Sequence, residues 1–202
     1  MHADIASFRK AERERLIAAR LAIPAEVRAS HTAKIAAALD QLLGAATEEI
    51  VSLYWPIRAE PDLRPWMRAA CERGLAIALP VAVELGRPLT FRAWRPGAVM
   101  ARGLWQIPYP AEGPEITPTT LLAPLVGFDA ASYRLGYGGG FFDRTLAAIR
   151  SPTALGISGT RGTRARVIGV GYRALEIPTI HPQPHDVPMD VILTEEASRF
   201  RA

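Results

Sequence analysis

A layered α/β fold with a mostly parallel sheet, preceded by two helices, follows from three observations. Helix-forming residues dominate residues 4–43. Beyond them, short strand-like runs alternate with helical segments, the order that builds parallel sheets. One of those runs, residues 121–128, is apolar throughout, as a strand covered on both faces is.

Each element has its own signal. In the helical opening, Ile23-Pro24-Ala25-Glu26 breaks the run. Pro24 is placed to start the second helix, where its missing N–H costs nothing. Phe8, Ile17 and Leu21 suggest one buried stripe on the first helix. Residues 49–55 read as a strand ending at Pro56, and residues 63–73 as a helix terminated by Gly74. Residues 75–83 and 89–94 read as further strands, residues 143–150 as a helix, and residues 167–172 and 191–194 as late short strands. Residues 97–119, with four prolines and three glycines, read as a loop, as do residues 151–166, rich in Gly, Thr, Ser and Arg. Neither loop is long enough to mark a domain boundary, and no internal repeat is present. Residues 1–202 are expected to form a single domain.

Composition removes several classes of function. A chain of 202 residues, 49% apolar and 22% charged, buries a core without disulfide or metal staples. Cys71 is the single cysteine and has no intrachain partner, so a cytoplasmic location is expected. Residues 1–10 are polar and lack an apolar core segment, so no export signal is expected. The longest apolar runs, such as residues 76–83, are far too short to span a bilayer, so no membrane partner is expected. The net charge is +4, and only Lys10 and Lys34 among the basic residues are lysines. That arginine excess permits a polyanionic partner without demanding one. No helix-turn-helix, zinc-finger or RNA-binding aromatic signature accompanies it, so no nucleic-acid partner is expected.

The stretch richest in chemistry is Arg134-Leu135-Gly136-Tyr137-Gly138-Gly139-Gly140-Phe141-Phe142-Asp143, between the apolar run and a helix. Four glycines in five positions let the backbone approach a ligand closely. At a helix start they point several N–H groups at one spot, which favours phosphate. Arg134 adds a fixed cationic fork, and Asp143 a hard oxygen for Mg²⁺. The lysine of a Walker loop is absent, and the dinucleotide G-x-G-x-x-G spacing is not met. A tight turn that merely packs Phe141 and Phe142 into the core remains the alternative.

Other constellations are weaker alone. His181, His185, Asp186 and Asp190 lie in a proline-stiffened segment. Their spacing does not suit zinc, and a carboxylate joining Asp143 at Mg²⁺ fits better. The alternative is an ordered loop whose aspartate caps the chain. Arg9 and Arg13 share one helix face at i and i+4, as a phosphate clamp or as a solvated face. Glu60 follows a strand end, where α/β sheets place site residues. Trp105 is either a stacking platform for a flat ring or a core anchor.

On these residues the chain resembles the 5-formyltetrahydrofolate cyclo-ligase family, also called methenyltetrahydrofolate synthetase. The match runs through Val126-Gly127-Phe128-Asp129, the glycine block, Pro184-His185-Asp186-Val187-Pro188-Met189-Asp190 and Leu193-Thr194-Glu195. Glu60 and Leu104-Trp105-Gln106-Ile107-Pro108 fall in the right order, so the resemblance covers nearly the whole chain. It implies a three-layer α/β/α domain and an ATP- and Mg²⁺-dependent ligase that converts 5-formyltetrahydrofolate to 5,10-methenyltetrahydrofolate. ATP is then a co-substrate, Mg²⁺ the cofactor, and a monomer is expected. It implies that Arg9, Arg13, Arg134, Leu135, Gly136, Tyr137, Gly138, Gly139 and Gly140 bind ATP, and that Asp143 and Asp186 hold Mg²⁺. Arg134 and Asp143 would be catalytic. Glu60, Trp105, Phe141 and Phe142 would bind the folate.

The chain departs from the family at four places. Arg9 stands where a lysine is usual, Phe141 and Phe142 where tyrosines are common, and Leu175 near a frequent glutamine. These departures motivate a second expectation, a folate- or nucleotide-binding paralogue with little or no turnover.

Overall fold

The computed structural model describes residues 2–44, 49–150 and 165–201. Two long helices open it, α1 (His2–Ala22) and α2 (Ala25–Leu43), joined at Pro24. Then follow β1 (Ile50–Ser52), α3 (Arg64–Glu72), β2 (Ala76–Val81), β3 (Thr90–Trp94), β4 (Met100–Arg102) and β5 (Pro108–Pro110). The second half carries β6 (Thr120–Pro124), β7 (Gly127–Phe128), β8 (Arg134–Leu135), α4 (Phe141–Ile149), β9 (Arg166–Val170), β10 (Val191–Leu193) and β11 (Ser198–Phe200).

Seven strands make the main sheet, in the order β11-β10-β9-β6-β1-β2-β3. Its five central strands run parallel, and an antiparallel strand closes each edge. Side chains along a strand alternate between faces, and here the alternation separates two cores. Val51, Ile77, Leu79, Leu122, Ile168, Val191 and Leu193 pack with Leu16 of α1, Ile35 and Leu39 of α2, and Trp66 and Met67 of α3. Ala78, Leu121, Ala123, Val167 and Ile192 face the other way and pack with Leu146 of α4. Helices therefore cover both faces, which gives three layers with a mostly parallel sheet, as the sequence predicts.

The structure corrects the sequence expectations at two segments and on the buried face of α1. Residues 121–128 are not one strand. The main-sheet strand stops at Pro124, and the Val126 N–H turns to Leu135 O at 2.9 Å. Gly127 and Phe128 then pair with β8 in a separate two-stranded ribbon. Within residues 97–119, β4 and β5 pair as a hairpin despite the prolines, because these strands need no partner on their outer edges. On α1 the buried side chains are Arg9, Leu16 and Arg20, whereas Leu21 is exposed and Ile17 half-buried. The stripe is thus rotated from Phe8, Ile17 and Leu21 and carries arginines. Most of the predicted loop at residues 151–166 lies outside the described residues. No helix among the described residues is long and apolar enough to cross a membrane.

Candidate functional site

The chain runs outward from β1 to β2 on one side and returns with β6 on the other side of β1. The order reverses there, and the carboxyl ends of β1 and β6 diverge to leave a crevice, the usual ligand position in such sheets. A cleft of about 510 Å³ lies at this point. The segment after β1 brings Glu60, the β8–α4 loop brings the glycines, α1 brings Arg9 and Arg13, and the β4–β5 hairpin brings Trp105.

One half of the cleft is cationic. Arg9 is buried and donates from Nε to Ile180 O at 2.9 Å and from Nη2 to Asp186 Oδ2. Arg13 donates from Nε to Gly136 O at 2.7 Å and lies against Gly138. Arg134 donates from Nη2 to Asp143 Oδ2 at 2.8 Å, and its buried Nε has no partner among the described residues. Burial pulls the Arg134 guanidinium below its ordinary range, and Asp143 and Asp186 oppose that pull. An unsatisfied buried donor on a buried cation is a strong demand for an anion. The solvated-face alternative fails for Arg9, which is buried, and the partly buried Arg13 is tied to the glycine loop through Gly136 O.

The glycine loop forms the floor. Gly138 has φ +96° and Gly140 has φ +66°, a left-handed conformation that glycine adopts without strain. Gly140 caps α4, which starts at Phe141, two residues before the expected start, and Gly140 to Asp143 at that helix N-terminus line the cleft. Side chains press on this loop. A Cβ on Gly139 would meet Phe141 Cδ2 at 3.0 Å and Trp105 Cη2 at 3.4 Å.

The other half is aromatic around one buried acid. Glu60 is 5% exposed, and burial raises its carboxyl above the ordinary value. Oε2 accepts from Ile57 N–H at 2.9 Å, and Oε1 accepts from the Tyr137 hydroxyl at 2.7 Å. Burial and Glu60 push the Tyr137 hydroxyl up, so it stays a neutral donor. Trp105 is 61% exposed and meets Phe141 edge-on at 5.4 Å, which makes it a wall of the cleft and not a core anchor. Phe141 is buried, and Phe142 lies beneath the Arg134 guanidinium at 5.1 Å. Leu175 is fully buried in the core and does not line the cleft.

The residues present suit a hydrated Mg²⁺. Asp143 and Asp186 both line the cleft, and each is balanced by one arginine. No group of three or more His, Cys, Asp and Glu side chains gathers among the described residues. Mg²⁺ is commonly held by one or two carboxylates together with substrate phosphate oxygens and water. Asp186 also accepts from Gln183 N–H at 2.6 Å, so it orders its loop as well.

All the expected site residues thus meet in one cleft. Sequence reasoning missed Arg20, Tyr54, Arg58 and Asp129. Arg20 had a legible signal: it falls on the same face of α1 as Arg9, Arg13 and Leu16.

The family model described as "5-formyltetrahydrofolate cyclo-ligase family" matches residues 6–195. A 5-formyltetrahydrofolate cyclo-ligase of Mycolicibacterium smegmatis is 31% identical over 152 residues, 71% of this chain and 72% of that one. One from Haemophilus influenzae is 25% identical, over 71% of this chain and 74% of its own length. The NMR structure of Aquifex aeolicus 5,10-methenyltetrahydrofolate synthetase superposes with a TM-score of 0.76 at 26% identity, covering 95% of this chain and 92% of that one.

Proposed function

The chain belongs to the 5-formyltetrahydrofolate cyclo-ligase family, and from that premise we propose that it cyclises 5-formyltetrahydrofolate to 5,10-methenyltetrahydrofolate at the expense of ATP. The observation that carries the proposal is the division of one cleft into a cationic half and a carboxylate-and-aromatic half that share the glycine loop as floor. Such a cleft holds a polyphosphate and a flat heterocycle with their reacting atoms adjacent.

The formyl oxygen attacks the γ-phosphorus of ATP and ADP leaves, giving a phosphorylated imidate. N10 attacks the imidate carbon and loses its proton, and the carbon–oxygen bond breaks to release phosphate. Neither step needs a protein nucleophile. The chain's own work is alignment and charge neutralisation. Arg9, Arg13, Arg134 and the N–H groups of the glycine loop take the phosphate oxygens. Glu60 accepts from the N–H groups of the pterin, and Trp105, Phe141 and Phe142 line its faces. Asp143 and Asp186 hold Mg²⁺, which supplies charge neutralisation on the phosphates when bound. We propose further that residues 1–202 act as a single domain and a cytoplasmic monomer; residues from both ends of the chain, from Arg9 to Asp186, line the one cleft, which supports the single domain.

The test is a coupled assay of purified protein with 5-formyltetrahydrofolate, ATP and Mg²⁺. Near-ultraviolet absorbance of the methenyl product should rise one-for-one with ADP, and only with all three present. Tight folate binding without product would instead favour the inactive paralogue and direct attention to Phe141 and Phe142.

Two substitutions separate the halves. Arg134→Ala removes a charged donor to phosphate, so the KM for ATP should rise about tenfold to a hundredfold. An unchanged ATP dependence would remove Arg134 from the phosphate site. Glu60→Gln keeps the shape but puts a donor where one of two acceptors stood. Folate affinity should fall about tenfold or more while ATP affinity holds. Movement of ATP affinity alone would show that Glu60 belongs to the other half.

A further inference from the structure

Arg20 is the largest fully buried side chain among the described residues, at 1% exposure, and no step of the proposed reaction uses it. Nε donates to Arg58 O at 2.8 Å, Nη1 to Leu125 O at 3.0 Å, and Nη2 to the Tyr137 hydroxyl at 2.5 Å. It therefore ties α1 to the turn before Glu60, to the end of β6 and to the glycine loop. Arg58 and Ala59 sit at φ 46° and 61°, where non-glycine residues are strained. Arg20 caps that turn through Arg58 O, and Nη1 lies 4.0 Å from Glu60 Oε1.

A buried guanidinium so near a buried carboxylate compensates its charge. Tyr137 passes that compensation on, accepting from Arg20 and donating to Glu60. One lone pair on each Glu60 oxygen is then committed, to Tyr137 and to Ile57 N–H. A second lone pair on each remains. Because Arg20 already supplies the positive charge, a cationic ligand group has no role at Glu60.

We propose that Arg20 and Tyr137 are positioning residues for Glu60, holding its carboxylate ionised and oriented so that its two free lone pairs take a neutral, planar pair of N–H donors on the substrate. The inference rests on the reading of Glu60 as the pterin acceptor. It explains why a charge is buried where the substrate carries none, and it makes Arg20 and Tyr137 determinants of substrate choice. The charged and titratable groups facing Glu60 are Arg20 from α1, Tyr54 from the segment after β1, Arg58 from the turn and Tyr137 from the glycine loop.

Burial raises the Glu60 carboxyl, and Arg20 and Tyr137 lower it. Folate affinity is lost as pH falls through that value, because the protonated acid offers a donor where the ligand needs an acceptor. Removing either partner leaves burial less opposed, so the loss starts at higher pH.

The experiment is equilibrium binding of 5-formyltetrahydrofolate without ATP, from pH 5 to 9, for wild type, Arg20→Met, Tyr137→Phe and Glu60→Gln. Binding of ATP to each variant is measured in parallel. In Arg20→Met the acidic inflection in folate affinity should move up by about one unit or more, and in Tyr137→Phe by less. ATP binding should keep its wild-type pH dependence. Glu60→Gln should lack the inflection. Should Arg20→Met not fold, Tyr137→Phe, at a partly exposed residue, carries the test alone. An inflection absent from Glu60→Gln but unmoved in the partner variants would overturn the role of Arg20 and Tyr137 only. An inflection that survives in Glu60→Gln would overturn the reading of Glu60 and this inference with it.

Discussion

Asp143→Asn is expected to cut kcat by about a thousandfold or more while leaving folate binding within a fewfold. The choice of asparagine matters. Asp143 sits in the first turn of α4, where Oδ2 accepts from Arg134 Nη2 at 2.8 Å and Oδ1 accepts from Val187 N–H at 3.3 Å. Asparagine can still accept one of these bonds and fills the same space, so the loop stays anchored. It cannot supply the negative charge that a hard cation needs. A structural role for Asp143 predicts a mild defect, and a metal-holding role predicts near-complete loss. The two also differ in Mg²⁺ demand. In the proposed role the residual activity should saturate only at higher Mg²⁺ than in wild type. Retention of more than about a tenth of wild-type kcat, with unchanged Mg²⁺ dependence, would sink the assignment.

The contrast between Asp143 and Arg20 marks what can be read from a sequence. Asp143 adjoins a glycine block whose spacing has few uses, and a helix start beside it points to phosphate. The apolar runs likewise predict the parallel sheet, because burial on both faces leaves a compositional trace. Arg20 leaves only its place on the α1 face that carries Arg9, Arg13 and Leu16, and nothing that names its partners. On an exposed helix an arginine is ordinary, and its burial depends on three carbonyl and hydroxyl acceptors 38 to 117 residues away. Pairing of that range has no local pattern. The β4–β5 hairpin is hidden for another reason: its prolines argue for a loop, and they are tolerated only because the ribbon has free edges. The end of the main-sheet strand at Pro124 is concealed in a similar way, since Leu125, Val126 and Phe128 are as buried as the strand they follow.

Asp129 is a third kind of case, and its removal carries the largest expected loss of stability. Its side chain accepts three backbone N–H groups, from Ala131 and Tyr133 at Oδ1 and from Ile180 at Oδ2, each at 3.1 Å. It is 2% exposed, so water cannot replace it. Asp129→Ala leaves three donors unpaired, a cost of about 3 kcal/mol or more. For a chain of this length that lowers Tm by about 10 °C, measurable by scanning calorimetry. The damage should also reach the cleft asymmetrically. Ile180, tethered by Asp129, is the residue whose carbonyl accepts from Arg9 Nε at 2.9 Å. The KM for ATP should therefore rise more than the KM for folate. Asp129→Asn refines the test, because its oxygen can still serve the turn at residues 129–133 while its NH₂ meets the Ile180 N–H donor to donor. It should recover some of the stability and little of the ATP affinity. A wild-type Tm in Asp129→Ala would mean that the three donors find other partners. Equal losses in both KM values would mean that Arg9 does not depend on this tether.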